Sequence, residues 1–348
     1  MTDEGSGADT HGWPVMRSIV RIVGLLGVVA VLLHGPVSAD YANREDVQRY
    51  MDELHTEHGF SKDELQIIFT EAERQQSILD AIARPAERTL KWFEYRRRFM
   101  DESRIEGGVR FWDDNEAALR LAEDEYGVAP EYIVGIIGVE TRYGRIVGKH
   151  RVIDALSTLA FDYPSRSAFF RKELTQFLLL VREEDQAFDA LKGSYAGAMG
   201  YGQFIPSSYR AYAVDFDGDG VRDIWNNTTD AIGSVANYFG EHGWQGSGPA
   251  FVQVYPGGSN ADEVLAPGLE LDTTVGALKK VGIEVRDVPE GTAAALMRMD
   301  LAEGAEYWLG LHDYYVITRY NHSKMYALAV HQLAQAIKTR RAATLASR

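Results

Sequence analysis

The 348-residue chain contains no cysteine. That excludes disulfides, thiolate metal sites, a cysteine nucleophile and a lipid-modified N-terminal cysteine. Such a protein is held together by core packing, with a bound ion as the available supplement. Positive charge is also scarce: 36 Lys and Arg face 51 Asp and Glu, a formal charge of −15. A general nucleic-acid binder needs a basic stripe to neutralise phosphates, and adhesion to anionic lipid needs the same sign, so both classes are excluded. No repeat of ~20–50 residues is visible, which argues against a solenoid. The apolar run from Ile22 to Leu33 is short of the ~20 residues that a membrane span requires. Arg17 and Arg21 precede it, Gly35-Pro36 break it, and Val37-Ser38-Ala39 offer small residues for a cut. Residues 1–39 therefore read as an export signal, giving a periplasmic chain that begins near Asp40, with an uncleaved anchor as the second choice.

What remains is ordinary for a soluble globular protein, with 45% apolar and 25% charged residues, enough for a sizeable core. From Asp40 to about Tyr126 the pattern is helical and charged, and Leu65, Ile68, Phe69 and Ala72 recur at spacings of three and four. Pro85 and Gly107-Gly108 punctuate this stretch, which carries the aromatic segment Trp92-Phe93-Glu94-Tyr95-Arg96. Composition shifts after Gly243. Phe251-Val252-Gln253-Val254-Tyr255 alternates like a strand, and 246–300 reads as a small β-containing insertion. From Tyr314 onward the pattern is helical again. The expected division is 40–128 helical, 129–245 core, 246–300 insertion and 301–348 returning to the core.

Pro130 suits the first position of a helix, and Ile133, Ile136, Ile137 and Glu140 then fall at i, i+3, i+4 and i+7. A carboxylate thus lies on the face that should be buried, with Gly144 expected to end the helix. Burial without a full charge partner raises a carboxyl pKa, as a general acid near neutral pH requires. Gly135 and Gly138 weaken the helix and suit a place where backbone or ligand comes close. The competing reading is a structural salt bridge from Glu140 to Arg142, Arg145 or another arginine, since buried acids are usually paired.

Two further motifs bear on this choice. The segment Gly193 to Phe204 is too rich in glycine for an ordinary helix and lacks the ending of a phosphate loop. Its small residues would let a sugar chain approach the backbone, with Ser194 and Gln203 supplying hydrogen bonds; a tight packing turn is the alternative. Asp215, Asp217 and Asp219, followed by Gly220 and Val221, match the opening of a calcium loop at positions one, three, five, six and seven. Position twelve is Asn226, so this is not a standard EF-hand, and Asp230 is the expected closing carboxylate. A solvated acidic turn is the alternative.

Together these residues resemble the lytic murein transglycosylase B family. The carrying segments are Ile136 to Gly144, Gly193 to Tyr209 and Tyr320-Asn321-His322-Ser323, supported by Trp92 to Arg96, Phe161 to Pro164 and Ala231 to Phe239. The resemblance implies an α+β, mostly α fold, with a lysozyme-like core flanked by a helical domain and a small β domain. It implies that Glu140 is the catalytic residue and that Ser194, Gln203, Tyr238, Tyr320, Asn321 and Tyr326 line a glycan cleft, with Tyr95 and Arg166 at further subsites. It also implies a structural calcium ion on Asp215, Asp217, Asp219, the Val221 carbonyl and Asp230, and no cofactor for catalysis. The implied partners are peptidoglycan strands, met by a monomer with a place in cell-wall synthesis or remodelling. Some family members have paired arginines after the Tyr-Pro, whereas this chain has Ser165-Arg166.

The implied reaction needs one carboxylate. Glu140 protonates the bond between N-acetylmuramic acid and N-acetylglucosamine, then takes the C6 hydroxyl proton as a 1,6-anhydro ring closes. A hydrolytic muramidase would use two carboxylates, for which Asp154, Asp162 and Glu173 are the candidates. A non-catalytic glycan-binding scaffold and a calcium-responsive interaction protein are the other readings.

Overall fold

The computed structural model describes residues 41–83, 90–256 and 260–347, so the expected export segment and Pro85 lie outside them. Among these residues α1 (Glu45–His58), α2 (Lys62–Glu71), α3 (Gln76–Ile82), α4 (Trp92–Arg97), α5 (Glu102–Asp114) and α6 (Glu116–Tyr126) lead into α7 (Pro130–Thr141). There follow α8 (Val152–Asp162), α9 (Ser167–Glu183), α10 (Pro206–Tyr212), α11 (Thr228–Glu241), α12 (Val275–Lys280), α13 (His312–Tyr320) and α14 (Lys324–Ala346). Six strands are interspersed: β1 (His150–Arg151), β2 (Lys192–Gly193), β3 (Phe251–Val254), β4 (Thr273–Thr274), β5 (Ala293–Asp300) and β6 (Ala305–Gly310). The fold is α+β with helix predominating.

Local chemistry sets the helix starts. The Ser61 hydroxyl accepts from Glu64 N at the head of α2, whose Leu65, Ile68 and Phe69 are buried as their spacing requires. Asp101 caps α5 through Arg104 N, Asn227 caps α11, and Ser323 caps α14 through Tyr326 N.

Helix α7 is the axis of the core. Ile133, Ile136 and Ile137 are buried, and so are Tyr132 and Val134 on the other faces, because α5, α6, α11 and α14 pack around it. Gly135 admits α14: a Cβ there would press on Ala334 and the Val330 carbonyl. Helices α8 and α9 pack as a pair beside this core.

Strands β3, β6, β5 and β4 form an antiparallel sheet in that order. It continues past residue 300, where the insertion was expected to end. The reason is a hairpin: Leu301 N donates to Gly304 O, Gly304 takes φ 74°, and the chain returns as β6. Strand β5 packs apolar side chains on both faces. Ala294 and Leu296 join a small cluster with Val275, Leu278 and Leu309, while Ala295, Met297 and Met299 join the helical core. Trp92 Nε1 donates to Glu306 Oε1 at 2.6 Å, tying α4 to the hairpin.

Candidate active site

Glu140 lies in the last turn of α7, half-buried where the apolar stripe meets a cleft. The helix ends before the expected glycine. Arg142 (φ 51°) and Tyr143 (φ 63°) already adopt the left-handed conformation. Their N–H groups return to Gly138 O and Ile137 O, closing the helix end. Such non-glycine residues cost of order 1 kcal/mol each, which here is met by packing. The Tyr143 hydroxyl donates to Arg104 O at 2.8 Å, and its ring fills the space that Gly138 leaves open. Gly144, with φ 81°, lies so close to Tyr201 that a Cβ would overlap the ring.

Of the arginines considered as partners of Glu140, Arg142 is engaged elsewhere, its Nη2 pairing with Asp101 Oδ2 at 2.8 Å, and Arg145 lines the cleft. Instead Tyr326 Oη donates to Glu140 Oε1 at 2.5 Å. Tyr326 is 2% exposed, and burial, followed by the Glu140 charge, pushes its phenol well above the ordinary value of 10.0. The hydroxyl therefore stays a donor throughout the working pH range. Arg104 holds the same helix end, its Nη1 donating to Gly138 O at 2.9 Å.

The cleft beside Glu140 has a volume of about 560 Å³. Ser194, Tyr195 and Gln203 form one wall and residues Arg145 to His150 the other. The Ser194 hydroxyl accepts from Ala196 N and Ala198 N, folding the glycine-rich segment into a turn. Gln203, at φ 52°, donates to Val147 O and Gly200 O and so ties the two walls together.

Other expected residues stand behind this wall. Tyr320 Oη donates to Gly202 O at 2.6 Å and Tyr238 Oη to Arg319 O at 2.6 Å, and the two rings meet edge to face at 4.7 Å. Asn321 follows the end of α13, half-exposed. Tyr95 is buried between Trp92 and Phe99 and adds to the field that raises the Tyr326 phenol. The Arg166 guanidinium lies over Phe169 at 4.3 Å, away from the residues lining the Glu140 cleft.

The acids considered as second carboxylates have structural work. Asp154 pairs with Arg151 at 2.7 Å and accepts from Glu73 N. Asp162 accepts from Tyr41 and Arg44, and Glu173 from Ser207 N and Oγ. Among the described residues, Glu140 is the one acid lining this cleft.

In the acidic loop, Asp215, Asp217 and Asp230 bring one oxygen each within 4.8 Å of the others. Asp230, 0% exposed, accepts from Phe216 N and Asp223 N, and burial pushes its carboxyl up. Asp219 stands apart from this group and accepts from Val221 N at 2.8 Å. Three converging carboxylates, one of them buried, form a donor set for a hard cation.

The sequence model of the family described as Transglycosylase SLT domain matches residues 42–335. The membrane-bound lytic murein transglycosylase B of Escherichia coli (strain K12) is 44% identical over 312 residues, covering 86% of this chain and 85% of that protein.

The chain belongs to this transglycosylase family.

Solved structures agree. The catenated lytic transglycosylase SltB1 from Pseudomonas aeruginosa superposes with a TM-score of 0.83 at 49% identity, covering 87% of this chain and 100% of that one. The Escherichia coli lytic transglycosylase Slt35 in complex with calcium gives a TM-score of 0.80 at 44% identity, covering 88% and 96%. The present chain is accordingly a peptidoglycan lytic transglycosylase.

Sequence reasoning missed the Arg145–His150 wall of the transglycosylase cleft. One signal was present: Gly148, four residues after Gly144, takes φ 95°, and a Cβ there would overlap the backbone of Gly193. Two glycines so close together just past a helix mark a loop pressed against another segment.

Proposed function

We propose that Glu140 is both the acid and the base of this transglycosylase, cutting between N-acetylmuramic acid and N-acetylglucosamine. The observation that carries the assignment is the Tyr326 hydroxyl on Glu140 Oε1 in a cleft with no other lining acid among the described residues. A two-carboxylate hydrolase holds its second carboxyl ~5–9.5 Å from the first. Here the competing acids are tied to arginines, tyrosines or backbone N–H groups.

In the first step the protonated Glu140 gives its proton to the glycosidic oxygen. The C1–O bond breaks, its electron pair stays with the leaving N-acetylglucosamine, and the muramoyl N-acetyl oxygen closes on C1. The ionised Glu140 then takes the C6 hydroxyl proton. O6 attacks C1 and returns the electron pair to the N-acetyl oxygen, giving the 1,6-anhydro ring. Glu140 is protonated again, and no water is consumed. Tyr326 holds the carboxyl in one orientation for both transfers.

Ser194 and Gln203 are the proposed sugar-contacting wall. Tyr320 and Tyr238 support that wall from behind, and Asn321, Tyr95 and Arg166 are proposed for outer subsites. Calcium is the proposed occupant of the acidic loop, held by Asp215, Asp217 and Asp230. Asp219 would turn away from Val221 N to join them with the Val221 carbonyl. The calcium complex of the Escherichia coli relative supports this reading. Export to the periplasm fits a peptidoglycan substrate, and among the described residues no helix is long and apolar enough to cross a membrane.

The test is product mass spectrometry on purified peptidoglycan with wild type and Glu140→Gln. Wild type should release anhydromuramoyl products lacking one water relative to a muramidase digest, and the variant should release none. Reducing-end products, or turnover by the variant, would overturn the assignment.

A further inference from the structure

Four cationic side chains follow Glu140 from the end of α7 through β1. Arg142 and Arg151, the outer two, are paired with Asp101 at 2.8 Å and Asp154 at 2.7 Å. Arg145 and Lys149, the inner two, line the cleft, are exposed, and form no ion pair with any described residue. In a chain of net charge −15, two cations left without an acid beside the catalytic carboxylate invite an external anion.

Their loop is pinned rather than free. Ile146 N donates to Thr141 O at 2.9 Å, Val147 O accepts from Gln203, Gly148 abuts Gly193, and His150 pairs with Gly193 across β1 and β2. Between the cations Ile146 is 62% exposed, an apolar step on a charged rim. His150 is held below its ordinary value by burial and then by Lys149, so the rim carries two charges at neutral pH.

The substrate brings the anion to this place. Cleavage puts the muramoyl C1 against Glu140, and the same sugar carries a lactyl group at C3. That group is the attachment point of the peptide stem and begins the carboxylate-bearing part of the polymer. We infer that Arg145 and Lys149 grip the stem carboxylates of the muramoyl residue being cut, making the enzyme selective for strands that still carry charged stems. This rests on the assignment of Glu140 as the acid and base.

The experiment compares glycan strands with intact stems and the same strands after carbodiimide coupling to ammonia, which turns carboxylates into neutral amides. With intact strands, Arg145→Ala/Lys149→Ala should lower kcat/KM about tenfold, mostly through KM, as expected for two partly exposed charge contacts. On amidated strands the variant should match wild type within twofold, and wild type itself should lose about tenfold. The loss on intact strands should shrink with added salt, and the charge-preserving Arg145→Lys/Lys149→Arg should keep most of the activity. Equal losses on both substrates, or no loss on either, would overturn the inference. Glu140→Gln, assayed alongside, tests the underlying assignment separately: its turnover bears on the chemistry, whereas the charge dependence is read from the loop variants.

Discussion

Glu140 and Asp230 are both carboxylates at the end of a buried helix, yet their surroundings differ. Asp230 sits in the first turn of α11, where the helix dipole favours an anion. It accepts two backbone N–H groups and faces two more aspartates. Glu140 sits in the last turn of α7, where the dipole favours a cation. It accepts a phenol and faces a cleft rimmed by arginine and lysine. The chemistry of a carboxyl group is thus decided by its company. Acids gathered together call for a metal ion, whereas a single acid held by a phenol at the edge of a sugar-sized space can trade protons.

The sharpest way to break this contrast is Glu140→Gln. Loss of the acid and base should lower kcat at least ~10³-fold, while the rise in Tm on adding calcium stays as in wild type. Asp230→Asn should do the reverse. It should abolish the calcium-dependent gain in stability, about 3 kcal/mol at saturating ion, and leave kcat of the folded enzyme within twofold. If calcium titration moved both variants alike in melting experiments, the two sites would not be separate. Tyr326→Phe sharpens the comparison on the Glu140 side. Losing one hydrogen bond to a carboxylate should cost about 2 kcal/mol in kcat, roughly 30-fold, with KM little changed.

A third titratable group, His331 on α14, supplies the smallest effect. Tyr132 Oη lies 2.8 Å from its Nδ1, and burial lowers its pKa from 6.5 to about 4. The unfolded chain therefore takes up the proton first as pH falls. The stabilisation is full above pH 6.5 and is lost between 6.5 and about 4. Denaturant titrations at pH 7 and pH 5 should differ by on the order of 1–2 kcal/mol, and His331→Phe should remove that part of the pH dependence.

The position of Glu140 was legible because a period of 3.6 carries three buried isoleucines straight to it, and the acidic loop because its aspartates are close in sequence. The cleft wall was not. The place of Arg145 and Lys149 depends on Gly148 meeting Gly193 and Val147 meeting Gln203, contacts between distant segments that no local pattern records. The family resemblance implied Tyr238 and Tyr320 as cleft residues. Their hydroxyls on Arg319 O and Gly202 O follow from tertiary packing, which residue type alone does not specify. The end of α7 was misread by a few residues because Tyr143, Thr141 and Arg104 hold non-glycine residues in a conformation that glycine normally supplies.

Strand β5 has a bearing on how the protein resists proteolysis. A strand whose central residues, Ala294 to Met297, are buried on both faces couples the small sheet to the helical core, so that opening either exposes apolar surface of the other. The described residues fall within one compact unit. A single cooperative melt, with the β5 amides among the last to exchange with solvent, would leave a protease few partly opened forms to attack. A chain without disulfides would thereby gain from its topology the resistance that crosslinks otherwise provide.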